Sequence, residues 1–178
     1  MSQSSNYHLM ARYNRWMNAK IYDAAATLTS AQLQQQRGAF FGSIIATLNH
    51  LLVADILWLQ RFANQYDNGK LAAVTALTPP SQLDQILYPE LPPLSTQRQW
   101  LDQQLYDWVM TLTELQLAGV LIYRNSKGVL HRKPFAAVLQ HFFNHQTHHR
   151  GQLSTLLFQA GVDVGVTDLL ALIDDEGV

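Results

Sequence analysis

The chain lacks cysteine altogether and contains few charged residues. Without cysteine among its 178 residues, it forms no disulfide, no thiolate metal site and no cysteine nucleophile, and this composition fits a cytoplasmic protein. Charged residues make up only 14% of the chain and apolar residues 48%, whereas typical soluble proteins carry about 25% charged residues. The surplus of apolar surface exceeds the needs of one small core, and a subunit interface is one way to bury it.

Features of nucleic-acid-binding and membrane proteins are also missing. The net charge is −1, and the longest basic block is His131–Lys133, too short for an electrostatic footprint on nucleic acid. No segment reaches the roughly 18 consecutive apolar residues of a transmembrane helix, and the first residues show no apolar region of a secretory signal. We therefore expect neither nucleic acid nor a membrane as a partner.

Hydrophobic periodicity predicts four long helices, two of them preceded by serine N-caps and the last followed by a glycine. Their expected ranges are 4–28, 44–65, 95–115 and 134–161. Ser43 and Ser95 are the N-cap candidates, Pro134 suits the first turn of the last helix, and Gly161 suits its left-handed C-terminal position.

The connections between these helices are long. Five of the six prolines fall between Pro79 and Pro93, which predicts a crossover over 67–94 with one short helical turn at 81–86. Two short strands are expected around a turn at 125–128. The predicted fold is therefore all-α, one domain over 1–178, a four-helix bundle of variant topology with long crossover loops and a small β-hairpin between helices three and four.

Four of the seven histidines lie within nine positions, at His141, His145, His148 and His149. On a helical wheel His145 and His149 fall within the apolar stripe of the last helix, one turn apart, and His141 and His148 lie on its flank beside Gln152. Imidazoles at this spacing can share one metal ion. The alternative is a pair of core histidines whose nitrogens are satisfied by neighbouring polar groups.

A metal site needs a third protein ligand, and His50 is the best candidate. It lies early in the second helix, a segment apolar on nearly every side, although a satisfied core histidine explains it equally well. His8 is expected in a frayed first turn and His131 in the hairpin, both at the surface. Asp55 shares the apolar arc of the second helix, so it needs a hydrogen-bonding partner, and a buried bridge between helices is favoured over direct chemistry.

GAFFGSIIATLNHLLVADILWLQRF and HFFNHQTHHRGQLSTLLFQAGVD, together with the early RYNRWMN, resemble the DinB family over essentially the whole chain. The resemblance implies a bundle of variant topology, assembled as a homodimer, with a divalent metal held by one histidine of the second helix and two of the fourth. Carried onto this sequence, these are His50, His145 and His149, with His141 or His148 as competitors. Some relatives are transferases or isomerases that use a low-molecular-weight thiol.

Three imidazoles leave coordination positions open, as in catalytic metal sites. We expect zinc or nickel, and a metal-dependent transferase or hydrolase that activates an external thiol or water against a small electrophilic substrate. The alternative is a non-catalytic, metal-stabilised dimer that acts as a stress-related binding or adaptor protein. Expected neighbours of the ligands are Asp55, His141, Asn144, His148 and Gln152. Expected residues of the pocket mouth are Tyr13, Asn14 and Trp16.

Overall fold

Helices account for most of the structure, a computed structural model that describes residues 2–175. Within this range the α-helices are, in chain order, α1 (Gln3–Ala26), α2 (Ser30–Gln34), α3 (Ile44–Tyr66), α4 (Ala72–Thr75), α5 (Leu91–Val109), α6 (Glu114–Leu117) and α7 (Phe135–Gln159). Strands β1 (Val120–Arg124) and β2 (Leu130–Pro134) form an antiparallel hairpin that pairs Val120 with Pro134 and Arg124 with Leu130. A 3-10 helix, Leu169–Leu172, follows α7. The predicted all-α fold with a hairpin before the last helix is confirmed.

The four long helices α1, α3, α5 and α7 pack as a bundle. Helix α1 packs chiefly against α5 and α7, and α3 packs against α7 and α5. Helices α1 and α3 therefore lie diagonally opposite each other across the bundle, and so do α5 and α7. This order is not that of a simple up-down bundle, and it places α3 directly beside α7.

Local sequence explains where the long helices begin and end. The Ser2 and Ser43 hydroxyls accept hydrogen bonds from the backbone N–H groups of Ser5 and Ala46, which caps α1 and α3 as serine N-caps do. Pro134 stands immediately before α7 rather than within its first turn. Gly161 has φ of 87° just beyond the end of α7, the left-handed conformation expected for this glycine.

Two predictions about the middle of the chain are wrong. Helix α5 begins at Leu91 instead of Ser95 and includes Pro92 and Pro93, because the first N–H groups of a helix have no intrahelical acceptor and proline loses nothing there. It ends at Val109, and α6 follows as a separate short helix that Thr113 caps. The segment 81–86 forms bends and one hydrogen-bonded turn, and the short helix of this crossover is α4.

Aromatic side chains fill the centre of the bundle at the hairpin end. The ring of Phe62 stacks on Trp108 at 5.2 Å and meets Phe135 and Phe142 edge-on at 5.7 and 5.9 Å. All four side chains are buried, and they join α3, α5 and α7. This packing fixes the relative position of the two helices that carry the candidate site.

His8 and His131 are both half-buried, so the expected surface positions are only partly correct. His8 lies in a regular turn of α1, and its Nε2 is buried. His131 stacks on Tyr123 at 5.3 Å and hydrogen-bonds to Asn125 within the hairpin. Neither approaches the other histidines closely enough to join them in a metal cluster among residues 2–175.

In the described part of the chain, none of the helices combines the length and the apolar character needed to cross a membrane.

Candidate metal centre

Three histidines converge between α3 and α7. The Nε2 atom of His50 lies 3.3 Å from Nε2 of His145 and 3.2 Å from Nε2 of His149, and the last two are 3.1 Å apart. His50 and His149 are buried, and His145 is half-buried. The i, i+4 spacing brings the two α7 imidazoles together on the side that faces α3.

Hydrogen bonds fix the orientation of two of these rings. Nδ1 of His50 donates to the carbonyl oxygen of Leu83 at 2.8 Å, and Nδ1 of His149 donates to Oε1 of Gln152 at 2.7 Å. Because an oxygen of this kind only accepts, the Nδ1 atom carries the hydrogen in each neutral ring and the Nε2 atom carries the lone pair. Two lone pairs thus point at each other across 3.2 Å, an arrangement that a shared cation stabilises.

The electrostatics of the cluster favour neutral rings. Burial lowers the pKa of His50 and of His149 below the ordinary imidazole value. Burial, reinforced by the neighbouring His149 and His50, lowers the pKa of His145 to about 3. At neutral pH all three rings are unprotonated, which is the form that binds a metal.

The spacing of the nitrogens fits a common metal ion. An atom bonded to each nitrogen at 2.0–2.1 Å keeps the nitrogens about 2.8–3.4 Å apart when the angles between bonds run from right angles to tetrahedral. The observed separations of 3.1–3.3 Å fall within this range. The triad could therefore hold a divalent metal ion, and an all-imidazole set suits zinc, nickel, copper or iron.

A loop residue and a cavity flank the triad on different sides. The Phe41 ring stacks on His50 at 3.9 Å and meets His149 at 5.6 Å, covering the cluster with an apolar face. A cavity of about 250 Å³ opens beside His50 and His145. The rest of its lining comes from Ala54, Leu57, Trp58, Arg61, Leu83, Tyr123, Asn125, Ser126 and His141.

The expected neighbours of the triad differ in how closely they approach its histidines. Gln152 bonds to His149 directly. The exposed His141 lines the cavity with its ring 6.2 Å from that of His145, and the exposed His148 lies 4.8 Å from the ring of His149 on another face. Asn144 is exposed, and its side chain accepts a hydrogen bond from Gln140 rather than bonding to a histidine of the triad.

Asp55 belongs to a buried polar network rather than to the triad. Its carboxylate accepts hydrogen bonds from Arg98 at 2.8 Å and from Gln146, and Arg98 also pairs with Asp102 at 2.8 Å. Burial raises the pKa of Asp55 to about 6, an effect that Arg98 opposes. The buried bridge between helices expected for Asp55 is present, and it connects α3 to α5 and α7.

Tyr13, Asn14 and Trp16 lie elsewhere in the bundle. Tyr13 donates to the carbonyl of Thr167, Asn14 joins the polar network by accepting a hydrogen bond from Arg150, and Trp16 packs beside Tyr13. None of the three lines the cavity beside the triad. They contribute to the packing of α1 instead.

Sequence reasoning did not identify Phe41, Leu83 or Arg61 at this site. Phe41 and Leu83 come from loops, whose positions leave no periodic signal in the sequence. Arg61 did leave one: it follows His50 by eleven residues, about three helical turns, and thus lies on the same face of α3.

The chain is a helical bundle in which two neighbouring helices share a triad of histidines, a potential metal centre. The chain belongs to the DinB family, which matches residues 1–176. It is similar to Protein DinB of Bacillus subtilis strain 168, with 25% identity over 165 residues that cover 88% of this chain and 87% of the relative. No solved structure matches the chain significantly.

Proposed function

We propose that the chain is a metal-dependent enzyme in which His50, His145 and His149 bind one divalent ion, zinc or nickel. The observation that carries this proposal is the convergence of three neutral Nε2 atoms within 3.3 Å of one another, two of them oriented by hydrogen bonds on the opposite ring nitrogen. Oxygen partners on the second nitrogen are typical of metal-bound histidines.

The number of ligands supports a catalytic role over the adaptor role. Structural zinc sites close their coordination with four protein ligands, whereas catalytic sites keep a position open. Over residues 2–175 the cluster has three members, and none of His141, His148 or Asp55 joins it. The adjoining cavity of about 250 Å³ gives a small molecule access to the open side.

The proposed reaction is attack by an external low-molecular-weight thiol, or by water, on a small electrophile. His50, His145 and His149 would hold a divalent ion, which when bound would lower the pKa of a thiol or water and supply a nucleophile at neutral pH. Leu83 and Gln152 hold the ligand rings in place, and Phe41 keeps water from one face of the cluster. His141 adds a further imidazole to the lining of the adjoining cavity.

Metal content tests the proposal directly. Protein purified without a nickel column is expected to contain about one divalent ion per chain by elemental analysis, and His50→Ala and His145→Ala are expected to lose most of it while keeping their helical content. His148→Ala is the matched control, because His148 is an exposed imidazole on α7 next to a proposed ligand. Full metal occupancy in His50→Ala would contradict a site shared between α3 and α7.

We further propose that the protein is a homodimer. Large apolar side chains remain exposed, among them Phe40 at 86% and Phe158 at 71%, and charged residues are few. Persistent interfaces bury about 1,200–2,000 Å² or more. Light scattering that gives the mass of one chain at micromolar concentration would contradict this proposal. A cytoplasmic location, the absence of nucleic-acid partners and a single domain over 1–178 stay predictions. Induction by stress or DNA damage is a further prediction, implied by the resemblance to the DinB family.

A further inference from the structure

Arg61 is a partly buried cation in the cavity beside the triad. Its guanidinium carbon lies 4.7 Å from the centre of the Trp58 ring and 5.5 Å from that of Tyr123. These distances place the guanidinium in cation–π contact with both rings, and such a contact uses none of its five N–H donors in a hydrogen bond to oxygen. No residue within 2–175 accepts a hydrogen bond from this guanidinium or forms an ion pair with it.

Arg98 and Arg150, whose side chains are fully buried, have polar partners that the partly buried Arg61 lacks. Arg98 is held between Asp55 and Asp102, and Arg150 donates to Asn14 and Asn18. A charge removed from water normally has such partners, because desolvation is costly. Burial lowers the pKa of Arg61 below its usual value, as expected for a guanidinium that gives up water without gaining an anion.

The lining of the cavity contains no aspartate or glutamate. The carboxylate of Asp84, which follows the lining residue Leu83, acts on His50 from outside that lining and raises its pKa against the larger effect of burial. A neighbouring cavity of about 450 Å³ shares Trp58, Tyr123 and His141 with it and adds the cation of Lys133, again without an acidic side chain. With low-dielectric aromatic walls, such a region concentrates anions.

The separation between Arg61 and the triad determines how long a ligand must be to contact both. The Cα atoms of His50 and Arg61 are about 16 Å apart along α3, and helical side chains lean toward the N-terminus, so the guanidinium reaches back toward His50. The cavity of about 250 Å³ has room for several water molecules and thus for a small ligand.

We propose that Arg61 is the anion-binding residue of this cavity, and that the substrate or thiol taken up at the triad is a small organic acid whose carboxylate lies several atoms from its reacting group. Arginine binds carboxylates with two parallel N–H donors, an arrangement that also orients the ligand. This inference rests on the proposed metal function, because it needs one end of the ligand at the triad.

The test uses the full chain loaded with cobalt(II), whose visible spectrum reports directly on the triad. Mercaptoalkanoates of increasing chain length are titrated against mercaptoalcohols of the same lengths. At the best length, the protein is expected to bind the acid about ten-fold more tightly than the alcohol, the effect of one charge-assisted hydrogen-bonded pair.

Variants assign that preference to Arg61. Arg61→Gln is expected to lose most of the ten-fold preference while its cobalt spectrum and its affinity for the mercaptoalcohol stay unchanged. If Arg61→Gln does not fold, Arg61→Met takes its place, because methionine keeps an apolar stem over Trp58. Arg132→Gln is the matched control: Arg132 is exposed on β2, outside the cavity, and its replacement removes the same charge.

The outcomes separate the two proposals. A preference for the acid that persists in Arg61→Gln, or that is absent from the unaltered protein, overturns the assignment of Arg61 and leaves the metal proposal standing. Cobalt that does not bind overturns the metal proposal and this inference with it. Bound cobalt whose spectrum no thiol changes overturns this inference and the role of a thiol as nucleophile, and leaves metal binding by the triad standing.

Discussion

The hydrogen bond between His149 and Gln152 offers a measurable test of how the triad is built. When Nε2 of His149 binds a metal, the Nδ1–H group becomes a stronger donor, so an oxygen at 2.7 Å stabilises the bound state more than the free state. Loss of such a partner typically weakens metal binding 10- to 100-fold, about 1.4–2.7 kcal/mol. Gln152 is half-buried, so water can replace part of the bond, and Gln152→Leu is expected near the ten-fold end.

Chelator competition with zinc at neutral pH measures this difference. Gln152→Glu is expected to bind zinc at least as tightly as the unaltered protein, because a carboxylate is a better acceptor than an amide. Gln140→Leu is the matched control, since Gln140 is exposed on α7 and bonds only to Asn144. If Gln152→Leu binds zinc as tightly as Gln140→Leu does, the orienting role of this hydrogen bond is refuted.

Two further predictions concern stability. Asp55→Ala removes a buried partner of Arg98 and Gln146 and is expected to cost about 3–5 kcal/mol, or roughly 6–20 °C in Tm. The exposed Asp23→Ala is its control in thermal denaturation, and equal shifts would contradict the role of the network. In the metal-free protein, the pKa of His145 is about 3 when folded against 6.5 for an unperturbed histidine, so the unfolded state binds more protons between these values. Stability is therefore expected to fall as the pH drops from 6.5 toward 3; His145→Gln should flatten that dependence, and an unchanged slope of Tm against pH would contradict it.

Helical periodicity predicted which side of each helix faces the core, whereas the pairing of the helices depends on tertiary contacts. It placed His145 and His149 on the core-facing side of α7 and predicted that Asp55 is buried, because the 3.6-residue repeat is a local property. It did not identify which helix faces which. For this reason the expected pocket residues Tyr13 and Trp16, which lie on α1, are found outside the cavity of the triad.

Proline and loops limited the prediction in different ways. Pro92 and Pro93 predicted an irregular segment, although the first turn of a helix accepts proline without losing a hydrogen bond. The ring of Phe41 and the carbonyl of Leu83 reach the triad from connecting segments. Their positions follow from how those segments fold back on the bundle, which no single stretch of sequence contains.

The diagonal order of the long helices has a consequence for how the chain folds. Bundles whose neighbours in space are neighbours in sequence form mostly local contacts and fold in microseconds to milliseconds. Here α1 packs on α5 and α7, and the triad joins positions 95 and 99 residues apart. Closing such long loops costs entropy before any contact stabilises them, so slower folding is expected.

During synthesis the same order creates a waiting time. Helix α1 ends at Ala26 and α5 at Val109, so the ribosome adds 83 residues (109 minus 26) before the main partner of α1 is complete. At about 5–20 residues per second this takes roughly 4–17 s. Throughout that interval α1 lacks the surface of α5 that it packs against in the finished protein.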